Sequence, residues 1–250
     1  MTNAGARGAR VKQAIYLGGA FMISPQMKAA GKELGTRAWQ TYMIGRGGAL
    51  GDVSPDVVAA AMHFFPLEFV RENWSVARQT VTPAQGVARY AQACQEWGRA
   101  YLGEAPDLGA VDAALAAVID AAPPGGKAMF AAWRLVPLPD DVSARVAQRL
   151  HVLREHRLGC HSAAVLAVGL SPLEAVIAAN DVDNATFFNW PPPYPDRDSV
   201  VERHARADQL TDEIASADWA VLTDDEFARV AQLLDGARGA AERALIAAAS

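Results

Sequence analysis

His161 and Arg46 are the side chains in this sequence best suited to chemistry. His161 follows Leu158-Gly159-Cys160, a run that predicts a glycine turn with the imidazole opening a new helix. Backbone amides and the positive end of the helix dipole lower a histidine's pKa there and favour its neutral, proton-accepting form. A general base or a ligand-orienting group is one reading; an imidazole bonded internally to a carbonyl is the other. Arg46 lies in Gly45-Arg46-Gly47-Gly48. Glycines allow close backbone approach and leave the guanidinium free to meet a ligand carboxylate or phosphate, or equally an internal acid or a helix end. The run lacks the GxxxxGK[ST] spacing of a phosphate loop.

A ligand-binding set is expected around these two: Tyr42, His63, Trp133, Glu155, Trp190 and Asp212. His63 adjoins Phe64, Phe65 and Pro66, which places it in an aromatic wall or in the core. Trp190, with Phe187, Phe188 and Tyr194 in a loop stiffened by Pro191, Pro192 and Pro193, suits a cap over an apolar pocket or simple packing. Asp212 follows Thr211 in an acid-rich helix, where the pair either orients a ligand or bonds back to the preceding turn. No metal ligand set is expected: His151, His156 and His161 recur at intervals of five, which on a continuous helix turns each away from the last. No cofactor is expected either, with haem or a metal held by His63 and His161 as the alternative. Cys160 adjoins His161, but neighbouring residues seldom face each other as a nucleophile pair would.

The composition narrows the classes. The 250 residues hold 23 Lys+Arg against 28 Asp+Glu, a net charge of −5, which disfavours a dedicated nucleic-acid binder. With 51% apolar and 20% charged residues, the chain can bury a core. Two cysteines, Cys94 and Cys160, make no disulfide framework and fit a reducing cytoplasm. Arg7, Arg10 and Lys12 before the apolar run from Ala14 to Ile23 imitate a signal peptide, but Gly18, Gly19 and Ser24-Pro25 fit a helical entry better. No stretch approaches the roughly 20 apolar residues of a membrane span. The expected partner is an organic small molecule; DNA and membrane are disfavoured, and a homodimer is compatible with the composition.

The elements that must position these residues are helices. Ala, Leu, Arg, Gln and Glu fill long stretches at helical spacing, and alternating β-branched runs are scarce. Caps at Ser24, Ser54, Thr82, Ser171 and Thr223 open several of them, the last three with capping-box spacing. Helices are predicted near 25–34, 37–45, 54–64, 82–102, 107–122, 141–157, 160–168, 171–180, 199–217 and 223–248. Pro123-Pro124-Gly125-Gly126 marks a seam between halves 13–122 and 127–250. From His151 to Asn180, three short helices joined by glycine turns have the shape of a helix-turn-helix core. Its third helix, from Ser171 to Asn180, carries Glu174 and no cation, a poor match to phosphates and base edges.

The segments from Gly45 to Val53, Met129 to Arg134 with Pro137-Leu138-Pro139, Leu153 to Arg157 with Gly159 and His161, and Gly169 to Ala175, with Leu210-Thr211-Asp212, resemble one family. It is an actinobacterial family of winged-helix-like proteins, a helix-turn-helix family of unknown function distantly similar to MarR-type regulators. The resemblance spans about residues 14–235. It implies a mainly α fold with little β, here as tandem winged-helix-like halves packed as an intramolecular pseudo-dimer, in proteins often encoded among biosynthetic genes. The expected function is small-molecule binding on a scaffold that has lost its DNA contacts. A cofactor-independent isomerase, cyclase or lyase of secondary metabolism extends that reading, with His161 as proton carrier and Arg46 as anion stabiliser. A ligand-responsive transcription regulator is the alternative.

Overall fold

The computed structural model describes residues 5–249, and among them it contains twelve α-helices and no strand. The first half holds α1 (Ala6–Tyr16), α2 (Pro25–Leu34), α3 (Ala38–Gly47), α4 (Pro55–Met62), α5 (Leu67–Ala77), α6 (Pro83–Tyr101) and α7 (Leu108–Ala121). The second holds α8 (Ala128–Trp133), α9 (Val142–Ala167), α10 (Pro172–Phe187), α11 (Val201–Asp218) and α12 (Asp224–Ala249). A 3-10 stretch, Leu17–Ile23, joins α1 to α2.

The predicted caps are in place. Ser24 and Ser54 accept from the amides of Met27 and Val57, while Thr82 with Gln85, Ser171 with Glu174 and Thr223 with Glu226 close reciprocal boxes. Each satisfies amides that a helix start would otherwise leave unpaired. Helices α1, α5 and α8 were not expected. None has a side-chain cap, so the signal that marked α2, α4, α6, α10 and α12 is missing from their sequences.

One correction changes the reading of the site. The predicted helices 141–157 and 160–168 are a single helix, α9, which runs unbroken through Gly159. This glycine makes room instead of a turn: a Cβ there would lie 2.5 Å from Lys127 Cγ, so its absence lets Lys127 lie against the helix. His161 and Cys160 therefore sit inside a helix and not at its N-terminus. The turn expected at Gly169 is present, with φ of 71°, between α9 and α10.

Helix α9 lies in the middle of the molecule, packed against α1, α6, α7, α8 and α11 and against the 3-10 stretch. Most of its length is surrounded, with Ala163, Leu166 and Ala167 exposed near its C-terminal end, and its buried positions include Gln148, His151, Glu155, His156 and Arg157. The main core joins both sides of the predicted seam, from Val11 and Phe21 through Tyr90, Trp97, Leu115, Phe130, Trp133 and Leu150 to Trp219 and Leu234. A second cluster, with Met43, Ile44, Val58, Met62 and Trp74, lies among α3, α4 and α5. Among the described residues, no single helix is long and apolar enough to cross a membrane.

Candidate functional site

An apolar cavity of about 490 Å³ opens where α3 faces the 3-10 stretch, the loop after α4, α9 and the end of α10. Helix α3 contributes Trp39, Tyr42 and Arg46, whose three- and four-residue spacing puts them on one face. Met22, Met62, Phe64, Phe65, Leu158, Phe187 and Phe188 complete most of the wall. The rings are mutually braced: Trp39 meets Tyr42, Phe65, Phe69 and Phe187 edge to face with centroids 5.4–5.6 Å apart.

Polar groups gather at one end. Arg46 donates to both Glu155 oxygens, at 2.7 Å each, and to the Tyr42 hydroxyl oxygen. Burial opposes the guanidinium charge, but Glu155 and Tyr42 outweigh it and hold the pKa above that of an ordinary arginine. Burial likewise pushes Glu155 upward, and the Arg46 charge with its two hydrogen bonds brings it below the usual carboxylate range. The pair is ionised on both sides. Arg154 adds a second guanidinium to the wall, bonded to Glu155 Oε1 at 3.3 Å and lying across Gly19.

The residues singled out from sequence fall into three groups. Tyr42 and Arg46 line the cavity. Glu155 and Trp133 hold Arg46, the first by its side chain and the second by donating Nε1–H to the Arg46 carbonyl at 3.0 Å; Trp133 is itself fully buried. Trp190 donates to the carbonyl of Phe64 at 3.0 Å and so anchors an aromatic wall residue instead of capping the cavity. His63, at φ of 59° just past α4, lines a shallower hollow with Asp56 and Trp190. Asp212 binds Arg157 at 2.6 Å.

His161 lies behind Phe64 as seen from the cavity, with ring centroids 5.4 Å apart, and its Nδ1 is 3.0 Å from Thr211 Oγ1. Its pKa is lowered to about 4, and the cause is burial rather than the helix dipole that the predicted turn would have supplied. The groups that converge with it are His204 and Asp208, not His63. Cys160 is buried, which pushes its thiol up to about 11 and removes it as a nucleophile. Sequence reasoning missed Trp39 and Arg154; the spacing of Trp39, Tyr42 and Arg46 was the available signal for the first, and none marked the second.

Helix α10 is where a DNA reader would need an open polar face. Ala175, Val176, Ile177 and Ala178 are buried, packed with Phe64, Leu170, Phe188 and Trp190. The helix changes course at Asn180 and Asp181, whose backbones are not helical, and the stretch beyond carries Phe187 and Phe188 to the cavity.

Among the described residues the fold is all-helical, with an open aromatic-lined cavity beside α3. A model described as a helix-turn-helix family matches residues 11–194, and the chain belongs to that family. No curated protein and no solved structure matches the chain.

Proposed function

We propose that this protein binds an apolar, aromatic small molecule bearing an anionic or hydrogen-bond-accepting group in the cavity beside α3. The carrying observation is the combination of a ligand-sized cavity of about 490 Å³, a wall of braced rings, and Arg154, Arg46 and Tyr42 at one end. The rings supply buried area, and the guanidinium and phenol groups orient the ligand's polar end. In this reading the halves 13–122 and 127–250 descend from a winged-helix unit that has lost its wing and its DNA contacts. The catalytic form of the reading, a cofactor-independent isomerisation, cyclisation or elimination, uses Arg46 and Tyr42 to stabilise a developing oxyanion.

Two probes test it: 8-anilinonaphthalene-1-sulfonate, an aromatic anion, and its neutral relative N-phenyl-1-naphthylamine. Both should bind saturably at one site, with Kd on the order of micromolar for the anion. Trp39→Ala should weaken both, whereas Arg154→Ala should weaken the anion more than the neutral probe. Absence of saturable binding to natively folded protein, checked by near-ultraviolet circular dichroism, would end the proposal, as would binding indifferent to both substitutions.

Membership of a helix-turn-helix family favours a second reading, a ligand-responsive regulator. Tight, salt-sensitive retardation of the DNA upstream of its own gene would establish that reading, because phosphate contacts release counterions. The buried face of α10 is the observation against it.

A further inference from the structure

Helices α9 and α11 bring together three groups that the cavity does not use. His204 and Asp208 are four residues apart on α11 and so share a face, and His161 meets them from α9. One donor atom from each lies within 4.8 Å of the other two, and His161 Nδ1 is 3.9 Å from Asp208 Oδ1. Helix α11 lies outside the residues matched by the family, so membership neither requires nor explains this cluster.

We propose that His161, His204 and Asp208 form a binding site for a divalent first-row transition-metal ion of the Zn²⁺ type. Two imidazole nitrogens and one carboxylate oxygen suit such an ion better than Mg²⁺ or Ca²⁺, which prefer all-oxygen sets. Donors around a four-coordinate ion with bonds near 2.0–2.1 Å are about 3.4 Å apart, so the three side chains close inward by roughly 1 Å on binding. They can do so because each is only partly buried: the side chains of His161 and Asp208 retain 23% and 39% exposure.

The surroundings set the mode of ligation. Lys12 Nζ is 3.6 Å from Asp208 Oδ2, so the second carboxylate oxygen is engaged and Asp208 ligates through Oδ1 alone. Three protein ligands then leave coordination positions open to water or a small substrate. Thr211 Oγ1 gives its proton to the Ala207 carbonyl at 2.7 Å and so accepts from His161 Nδ1–H, which steadies the ring and leaves Nε2 as the nitrogen that can ligate. Lys12, Arg157 and Arg197 add positive charge nearby, which moderates affinity for a dication.

The test uses tag-free full-length protein stripped with a chelator, titrated with Co²⁺ by visible d–d absorption and with Zn²⁺ by calorimetry. One ion per chain should bind. His204→Ala and Asp208→Asn should each weaken binding roughly tenfold or more, Lys12→Met should tighten it, and His63→Ala should leave it unchanged. Far-ultraviolet circular dichroism confirms that each variant is folded, and two ligand variants on the partly exposed α11 keep the result readable if one misfolds. No stoichiometric binding, binding indifferent to both α11 substitutions, or loss on His63→Ala in their place would overturn the proposal. None of these outcomes bears on the aromatic cavity, whose probes carry no metal.

Discussion

Arg46 shows how much a side chain's role depends on its partner. Its glycine-flanked setting left an external anion and an internal acid or helix end equally open. The bidentate contact with buried Glu155 makes it an internal ion pair that also faces a cavity. Removing one member strands the other's charge away from water, whereas removing both does not. Glu155→Gln should therefore cost about 3–5 kcal/mol in urea denaturation, and Arg46→Met combined with Glu155→Leu should recover most of that loss. A Glu155→Gln variant as stable as the parent would show that the pair is not structural. His161 illustrates the converse: it keeps the lowered pKa expected from sequence, through burial and not through the expected helix terminus.

At the scale of elements, close approach between α3 and α6 depends on missing side chains. A Cβ on Gly86 of α6 would lie 2.5 Å from the Ile44 carbonyl oxygen, and one on Gly48, just past α3, 2.6 Å from that of Pro83. Both obstacles are backbone and cannot rotate away. Gly86→Ala should force the helices apart and cost about 1–3 kcal/mol, read as a lower midpoint in denaturant at unchanged slope. Because α3 carries Trp39, Tyr42 and Arg46, the same variant should also weaken binding of the anilinonaphthalene probes. Caps were legible in the sequence because they are local, one side chain meeting amides three residues away. Helices α1, α5 and α8 offer no such terminal signal and were missed, whereas α11, also without a side-chain cap, was legible from its helical spacing.

For the whole molecule, the polar residues buried on α9 set the response to acid. His151 is fully buried among the rings of Phe21, Tyr90 and Trp133, with Glu155, Arg154 and Arg46 as the charged groups that act on it. Burial lowers its pKa from 6.5 to about 3. The unfolded chain therefore binds a proton that the folded chain refuses, and the stability present above pH 6.5 declines as pH falls towards 3. One such group contributes a slope of at most about 1.4 kcal/mol per pH unit. Denaturation midpoints measured from pH 7 to 4 should fall, and His151→Leu should flatten the fall; an equal decline in both proteins would assign it elsewhere. Glu155, held low by Arg46, acts in the same direction at lower pH, as its carboxylate protonates.

The order of amino acids alone determined that the chain is helical, where its capped helices begin, and that the helix from Ser171 carries a carboxylate and no cation. Those properties follow from spacing, capping chemistry and charge, which act over a few residues or need no geometry. Tertiary structure decided that Gly159 lies within a helix, that Arg46 meets Glu155 from 109 residues away, and that His161 meets His204 and Asp208. It also decided where the rings enclose a hollow. Each of these depends on how distant helices cross, and crossing angles and close approaches are set by the packing of whole faces, which no local pattern in a single sequence records.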